Sequence, residues 1–451
     1  MNDRICIVGL SIILCVFYFP VRSVAEEIQI NKKYAEKDNQ LDWCSRLVEK
    51  CQYDLRILGS FTWQDISESS QNPDNNFLRL PSYIGRLEFR PDVAFNHKDI
   101  TFTMKPRLEV ERQVWKEGSR EDDEESDYNA FINEWLLRLS LDDRFFISYG
   151  RENLQWGPAY LFSPSNPFFR DNGRSNPKKE VPGMDFVRAV WLPAVDWTIS
   201  FIANVDEGRQ DFGLYGFKKT YALKIDYSGQ DGCSGLILSG TERSDRRLGV
   251  FTRRTVSDAL LLYGEGVLIG GSDALYPRES INPFGLSMET KDKEYTDLDQ
   301  VVLLGGQYTL EMGPTFSVEY IYNGLGYGDE LADDYYRLRD LAANAYSTGG
   351  PLRDLGAMTL AKTADPKLRF LRRHYLMLQY NQNDIRDILS LTLRWTQNLE
   401  DGSGQFVSIF ELFIGDHTQI FSVGSFNIGS SDEEFGSPLD HQLMLGIEYV
   451  F

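Results

Sequence analysis

The stretch YIGRLEFRPDVAFNHKDITFTMKPRLEVERQV, residues 83–114, indicates what kind of fold this chain adopts. Apolar and polar residues alternate along both of its halves, and the polar run NHKD at residues 96–99 separates them. Period-two alternation on either side of a short polar turn is typical of an antiparallel β-hairpin. Its polar face carries a mixture of charges, among them Arg86, Arg90, Arg107 and Glu109.

The same alternation recurs in DLRILGSFTWQ (54–64), KTYALKIDYS (219–228), DILSLTLRWTQ (387–397) and HQLMLGIEYVF (441–451). Alternation alone does not say which face is inside. A soluble sandwich would turn the apolar face inward, whereas a membrane barrel would turn it to lipid. Aromatic residues near the proposed strand ends favour lipid, because interfacial girdles lie there. They are Tyr149, Trp191, Tyr227, Tyr380 and Trp395.

The lengths of the connections discriminate best between the two folds. The tight turns NHKD, LDDR, PAVD, SGQDG, VSD, EMGP, NQND and GDHT alternate with longer connections. Outer-membrane barrels combine short periplasmic turns with long outer loops in this way. We therefore predict an all-β chain, a transmembrane antiparallel β-barrel of about 18 strands (16–18) over residues 54–451. Residues 329–347 favour a helix, which predicts one helical insertion in an outer loop.

The N-terminal residues predict export from the cytoplasm. A short polar start, the apolar run ICIVGLSIILCVFYF (5–19) and small residues up to Ala25 are typical of a signal peptide over residues 1–25. Residues 26–53 would then form a periplasmic N-terminal segment. With the barrel, this predicts a Gram-negative outer membrane, where lipid and lipopolysaccharide surround the chain. The final strand ends in Tyr449 and Phe451, which resembles the signal read by the barrel assembly machinery.

Cys44 and Cys51 lie near the predicted mature N-terminus, where an oxidising compartment would allow a disulfide. A helical segment would hold their Cα atoms roughly 10 Å apart, beyond disulfide reach. The segment is therefore either bridged and not helical, or helical with free thiols, and we predict the bridge.

Composition excludes several functions. The chain has 67 acidic and 47 basic residues and a net charge of −20, and its acidic runs suit solvated loops. Without a basic stripe, nucleic acid is not an expected partner. None of the four histidines lies in a recognisable catalytic triad, so we expect no enzyme. No His/Cys cluster has metal-ligand spacing, and we predict neither a metal nor a cofactor.

One stretch, GRENLQWGPAYLFSPSNPFF at residues 150–169, interrupts the alternation. Its prolines exclude a regular ladder, and its aromatic residues need burial. It either folds into the barrel mouth or packs over the rim as a lid, and we predict the inward arrangement. Arg151, Trp156, Asn166 and Arg170 would then form a constriction. The other predicted pore-lining residues are Arg86, Arg90, Arg107, Glu109, Arg138, Arg188 and Arg394.

The order Gly-Arg at 150–151, Trp-Gly at 156–157, Asn-Pro at 166–167 and GMDFVRAVWLP at 183–193 resembles porin-like outer-membrane proteins. The nearest resemblance is to the alginate-export family, and EYIYNGLGYGDE (319–330) adds to it. It implies a channel for diffusion or export of a polar or anionic solute, with a small molecule or a polysaccharide as substrate. The alternative is a plugged barrel with a structural or assembly role at the outer membrane.

Overall fold

The structure, a computed structural model, describes residues 51–451 apart from 170, 243–244, 292–297 and 437. The predicted signal peptide, most of the predicted periplasmic segment and Cys44 lie outside the described residues. The first strand begins at Cys51 itself. The pairing of Cys51 with Cys44 therefore stays a prediction.

Eighteen strands form one sheet, and a separate pair of strands and two helices lie in its connections. The strands of the large sheet are β1 (Cys51–Ile66), β2 (Tyr83–His97), β3 (Ile100–Val114), β4 (Glu124–Asp142), β5 (Phe145–Glu152), β6 (Met184–Ala194), β7 (Trp197–Asp206), β8 (Thr220–Ser228), β9 (Gly232–Thr241), β10 (Arg246–Thr255), β11 (Leu260–Gly270), β14 (Leu298–Thr309), β15 (Thr315–Asn323), β16 (His374–Ile385), β17 (Leu389–Asn398), β18 (Gly404–Ile414), β19 (Thr418–Ile428) and β20 (Leu439–Val450). The connections contain β12 (Leu275–Glu279), β13 (Leu286–Thr290), α1 (Asp329–Thr348) and α2 (Arg353–Ala364), besides short 3-10 turns.

The large sheet closes on itself. Each of its strands pairs antiparallel with the next along the chain, and β20 pairs back onto β1 from Arg56↔Val450 to Ile66↔Leu439. The amide of Phe451 continues this seam by donating to the Leu55 carbonyl at 3.0 Å. Closure leaves the sheet without an open edge, as a lipid environment requires. The predicted fold class, an 18-strand antiparallel barrel, is confirmed.

Side-chain exposure shows which face meets lipid. Leu87, Phe201 and Ile447 point outward and are 54%, 50% and 51% exposed, whereas the inward residues Phe186 and Glu319 are both 0% exposed. An apolar exterior around a polar and tightly filled interior is the pattern of a membrane barrel. Neither helix is long and apolar enough to cross a membrane, within the part of the chain that the structure describes.

Short turns join the strands at one end of the barrel and mostly longer connections join them at the other, as predicted, with the expected exception of the short link between β9 and β10. The turn predicted at NQND is displaced, because β16 continues to Ile385 and the chain reverses at residues 386–388. Asp384, Arg386 and Asp387 adopt positive φ angles of 55°, 54° and 62°. These residues, with left-handed backbone conformations, shift the register between β16 and β17, so the chain reverses further along the sequence than predicted.

The outer connections build a compact cap. The prediction of one helix there was incomplete, because α2 follows α1 after Gly349 and Gly350, whose φ angles are 76° and 78°. Only glycine adopts such angles without strain, so the pair that ends α1 also turns the chain back. Gly356 of α2 then approaches α1 closely, since a Cβ there would lie 2.7 Å from the Ala342 carbonyl oxygen.

The β12–β13 hairpin packs against α1 and completes the core of the cap. Its residues Tyr276 and Met288 are buried together with Tyr335 and Leu338 of α1. The hydroxyl of Tyr335 donates to the Thr363 carbonyl at 2.8 Å, which ties α1 to the end of α2. The cap is therefore an ordered structure rather than a set of independent loops.

Candidate channel constriction

Residues 153–183, which connect β5 to β6, fold inside the barrel; we call them the inner loop. The backbone amide of Ala159 donates to Glu265 of β11 at 3.1 Å. The amides of Tyr160 and Leu161 donate to Glu319 of β15 at 2.6 and 3.2 Å. Because both glutamates point into the lumen, these bonds fix the loop against the wall opposite its point of origin.

The two glutamates are buried carboxylates whose partners are neutral donors. Glu265 also accepts from the hydroxyls of Ser163 and Ser165 at 2.6 and 3.0 Å, and Glu319 accepts from the Tyr263 hydroxyl at 2.8 Å. Glu265 is 3% exposed and Glu319 is 0% exposed. A buried carboxylate is tolerated only when such donors replace its hydration. The inner loop supplies most of these donors, so loop and wall stabilise each other.

The second half of the inner loop is held by ion pairs to the opposite side of the barrel. Lys178 Nζ lies 2.8 Å from Glu448 of β20 and 3.1 Å from Glu411 of β18. Glu180 accepts two hydrogen bonds from Arg107 of β3, at 2.8 and 2.7 Å. Paired guanidinium–carboxylate bonds fix orientation as well as distance. The inner loop therefore crosses the lumen and is anchored at both walls.

Two arginines that were predicted to line the pore, Arg90 and Arg394, donate to the backbone of the inner loop. Arg394 of β17 donates to Gln379 at 2.8 Å and to the Arg174 carbonyl at 3.3 Å. Arg90 of β2 donates to the Lys178 carbonyl at 2.8 Å. Both side chains are about as buried as core residues, at 3% exposure.

Trp156, Phe168 and Phe169 of the inner loop pack against the wall formed by β6 to β10, whereas Tyr160 and Phe162 pack on the side of β11 to β16. Trp156 meets Phe168 edge-on at 5.9 Å, and Phe168 meets Phe186 of β6 at 5.0 Å. Asn166, 5% exposed, closes the loop on itself by donating to the Leu154 carbonyl at 2.9 Å. It helps to hold the loop, and its place at the constriction stays a prediction. Arg170 lies outside the described residues.

The other predicted residues form ion pairs along β2 to β6. Arg86 contacts Glu111 and lies 3.4 Å from Glu109, while Arg151 contacts Asp185 at 2.7 Å. Arg188 contacts Glu152 at 2.8 Å. Arg138 differs, because it is exposed near the end of β4 that bears the short turns, and its guanidinium lies 5.5 Å from the centroid of the Phe146 ring.

Accessible charge is concentrated on one side of the lumen. The anchors on β11, β15 and β17 are buried, whereas inward-facing charged side chains about a quarter or more exposed occur at Arg253 of β10, at Glu411 of β18 (24%) and most often on β1–β4 and β6. On β1–β4 and β6 they include Arg56 (28%), Arg86 (30%), Asp92 (25%), Lys105 (38%), Glu134 (25%) and Arg188 (24%). Both signs of charge are therefore accessible on this wall of the lumen.

Arg209, in the connection from β7 to β8, was not predicted from the sequence. Its guanidinium carbon lies 3.1 Å from the centroid of the Phe131 ring, and its Nη1 is buried without a hydrogen-bond partner. The nearby Asn133 Nδ2 is also buried without an acceptor. No described carboxylate lies within ion-pair distance of Arg209, unlike the guanidinium groups of Arg86, Arg151 and Arg188. No sequence signal distinguishes this arginine, because it lies in an irregular connection.

The backbone places Arg209 at the inner loop. Its amide donates to the Gly183 carbonyl at 2.9 Å, where the inner loop joins β6. A Cβ on Gly183 would meet the Asn133 carbonyl oxygen at 2.8 Å, so the three residues are close neighbours. Two residues that neighbour Gly183 thus each carry a buried donor without an acceptor. Among the described residues, no group of three or more histidines, cysteines or acids could hold a metal ion.

A closed antiparallel barrel of 18 strands, with a loop folded inside it, is the architecture of a porin-like Gram-negative outer-membrane barrel. No protein-family model matches the sequence, and no curated protein sequence does. Solved structures do match. OccAB1 of Acinetobacter baumannii is 10% identical with a TM-score of 0.54, covering 90% of this chain and 97% of its own.

Two further structures, both from Pseudomonas aeruginosa, match similarly. OprD is 9% identical with a TM-score of 0.53, covering 89% of this chain and 94% of its own. OpdK, whose structure was determined with vanillate, is 10% identical with a TM-score of 0.53, covering 89% and 99%. The chain thus has the fold of OprD/Occ porins, which agrees with the predicted outer-membrane location. These neighbours do not show the resemblance to alginate exporters.

Proposed function

We propose that this protein is an outer-membrane channel through which small polar solutes diffuse, and that the inner loop forms its constriction. One observation carries the proposal: the loop is anchored on opposite walls, by Glu265 and Glu319 on one side and by Arg107 and Glu448 on the other. Such bracing keeps a narrow passage open at a fixed width. A plugged barrel with a structural role would not need solvent-accessible charged side chains beside the inner loop.

The charges beside the passage favour solutes that carry hydrogen-bond acceptors. Ion pairs occupy most of the guanidinium groups on this wall, so they contribute a local field rather than free binding groups. Arg209 and Asn133 retain donors without acceptors. A carboxylate or a polar oxygen of a passing solute would fit there, because guanidinium donors match carboxylate geometry. We therefore propose a preference for small anions, and the vanillate in the OpdK structure is a compound of that kind.

Single-channel recording tests this proposal. Purified protein in a planar bilayer should give discrete and reproducible conductance steps, because the passage has a fixed width. Under a salt gradient, the zero-current potential should have the sign of an anion-preferring channel. A folded barrel that shows no conductance would instead support the alternative, a plugged barrel with a structural role.

Polysaccharide export is the second candidate, and it makes a different prediction about pore size. A polymer exporter needs a passage that flexible polymers enter, whereas a passage braced by the inner loop should exclude them. Adding non-ionic polymers of increasing size to one side distinguishes the two. Small molecules of glycerol size should lower the conductance by entering, while long polymers should leave it unchanged if the proposed channel is correct.

A further inference from the structure

The lipid-facing surface of the barrel carries an arginine without a partner at its outer rim. Arg246 begins β10 and alternates in step with Leu248 and Val250, which are 38% and 47% exposed, so it faces outward. It is itself exposed, and no described residue forms an ion pair or a side-chain hydrogen bond with it. Arg112, an outward arginine of β3, is by contrast paired with Glu124. The guanidinium of Arg246 is therefore available to a group outside the protein.

The length of β10 shows at which level of the membrane Arg246 lies. Arg254 also faces outward and lies eight residues further along the strand, a distance of about 27 Å. A strand tilt of about 35–45° reduces this to about 20 Å across the membrane, close to the height of the apolar band of such barrels, about 25 Å. The two arginines thus lie near opposite edges of the band. Arg246 is at the outer edge, beside the short link between β9 and β10.

The neighbours of Arg246 leave open space beside its guanidinium. Gly240 of β9 pairs with Arg246 on one side and with Tyr221 of β8 on the other. A Cβ on Gly240 would have no side-chain atom within 4 Å. Two strand spacings, about 10 Å, therefore separate Tyr221 from Arg246, with no side chain between them. On the other side of Arg246, Gly270 of β11 is the paired residue.

Lys219 adds a second positive charge to the same rim. Its carbonyl accepts from the Glu242 amide at 3.1 Å, which continues the ladder between β8 and β9. Lys219 is exposed and has no ion-pair partner in the part of the chain that the structure describes. Glu242 carries the opposing exposed charge, whereas Asp245 is buried and lies 3.7 Å from Lys218. Lys219, Glu242 and Arg246 together leave one net positive charge facing outward.

An apolar strip adjoins this rim on the membrane side. Leu248 of β10 pairs with Leu238 of β9 and with Leu268 of β11, so the three side chains form one row. Leu238 and Leu268 are 47% and 39% exposed on the outer face. The row spans three strands, about 10 Å. This width accommodates more than one acyl chain.

We propose that this surface binds a phosphorylated glycolipid of the outer leaflet that carries several acyl chains, the class to which lipid A belongs. We call it the rim site, and it consists of Lys219, Leu238, Gly240, Arg246, Leu248 and Leu268. A phosphate lies over Gly240 and accepts from Arg246 and Lys219, because guanidinium donors match phosphate geometry. The acyl chains lie along the row of leucines. The rim site is outside the barrel, so it goes beyond the proposed channel function and does not depend on conduction.

Native mass spectrometry of the full-length barrel in detergent, titrated with diphosphoryl lipid A, tests the rim site. Arg246→Gln removes the charge and should weaken binding of the first lipid A molecule about tenfold. Glu242→Gln removes the opposing charge and should strengthen it about threefold. Arg254→Gln is the matched control, because it changes the same residue type on the same face of β10. Its neighbouring row contains the hydroxyls of Ser234 and Thr252, 2.8 Å apart, in place of leucines, so the affinity should not change.

Two further measurements separate the rim site from general attraction of anionic lipid and from the lumen. Phosphatidylglycerol, a phospholipid with two acyl chains, should bind at least about tenfold more weakly than lipid A. Arg209→Ala, at the constriction, should leave lipid A binding unchanged. Unboiled gel migration shows that each variant is folded. The proposal is overturned if lipid A fails to bind, if Arg246→Gln binds it as tightly as Arg254→Gln, if phosphatidylglycerol binds as tightly as lipid A, or if Arg209→Ala weakens binding as much as Arg246→Gln.

Discussion

Arg209 is the residue to which the proposed solute preference is most sensitive. Arg209→Ala should lower the ratio of anion to cation permeability about fivefold, the effect of roughly 1 kcal/mol. The reason is that its guanidinium forms no ion pair at contact distance with a described carboxylate, and Glu109 and Glu180 act on it only from further away. The zero-current potential under a salt gradient measures this ratio.

Arg112→Ala is the matched control for that measurement. It removes the same charge, but Arg112 lies on the outer face of β3, paired with Glu124 and 63% exposed. The permeability ratio should not change in this variant. Equal shifts in both variants would mean that total charge, and not the position of Arg209, sets the preference.

Glu265 and Glu319 determine how firmly the inner loop is held. Replacing both by Gln removes the negative charge that attracts the loop amides and leaves some of these donors poorly paired, at about 1–3 kcal/mol for each buried group left unsatisfied. We expect frequent current fluctuations in single-channel records, because the loop leaves the wall transiently. Glu134→Gln, whose partner is Lys105 on the wall, is the control. A steady current in the double variant would contradict the anchoring role.

For single residues, the sequence predicts which side chains face the inside of the barrel, but not which residues they contact. Alternation correctly places Arg86, Arg107 and Arg394 inside the barrel, because side chains of a strand alternate between its faces. It cannot predict that Arg107 meets Glu180 or that Arg394 meets the backbone of the inner loop. Those contacts join residues far apart in the chain, and their geometry arises only when the barrel closes.

The inner loop is the element that should set the conductance. Deleting residues 156–169 removes the aromatic segment and the amides bound to Glu265 and Glu319. The conductance of a single channel should rise at least about twofold, because the resistance of the narrowest section is lost. Unboiled gel migration shows whether the variant still folds. An unchanged conductance in a folded variant would place the loop outside the passage.

The last strand makes a separate prediction about assembly. Tyr449 and Phe451 face outward at 40% and 63% exposure and contact each other at 4.8 Å. Replacing both by Ser should reduce the amount of protein in the outer membrane severalfold while export to the periplasm continues. Tyr308→Ser with Phe316→Ser is the control, because these aromatic residues are also exposed and face each other on β14 and β15. An equal loss of outer-membrane protein in both variants would mean that assembly depends on exposed aromatic surface in general and not on the last strand.

At the element scale, turns were easier to predict than helices and hairpins in the cap. Polar turn residues between alternating segments are a local signal, and only the NQND turn was misplaced. The helix α2 escaped prediction because its apolar residues do not form one stripe, and contact with α1 through Gly356 stabilises it. The β12–β13 hairpin is short and packs on α1, so its sequence alone does not indicate it.

For the whole molecule, a closed barrel predicts resistance to denaturation. Unboiled protein in detergent should migrate differently on a gel from boiled protein, because the closed sheet has no edge at which unfolding can begin. Its circular-dichroism spectrum should be dominated by strands, since α1 and α2 are the two α-helices among the described residues. A mainly helical spectrum, or identical migration before and after boiling, would contradict this fold.

The anchors of the inner loop also impose an order on biogenesis. The loop precedes β11, β15 and β20 along the chain, yet Glu265, Glu319 and Glu448 on those strands hold it. When strands insert in chain order, the charged groups and amides of the inner loop stay hydrated until β20, the last strand, has been added. A half-inserted chain would have an unobstructed interior, and the narrow passage would form only in the last step, together with the closure of the wall.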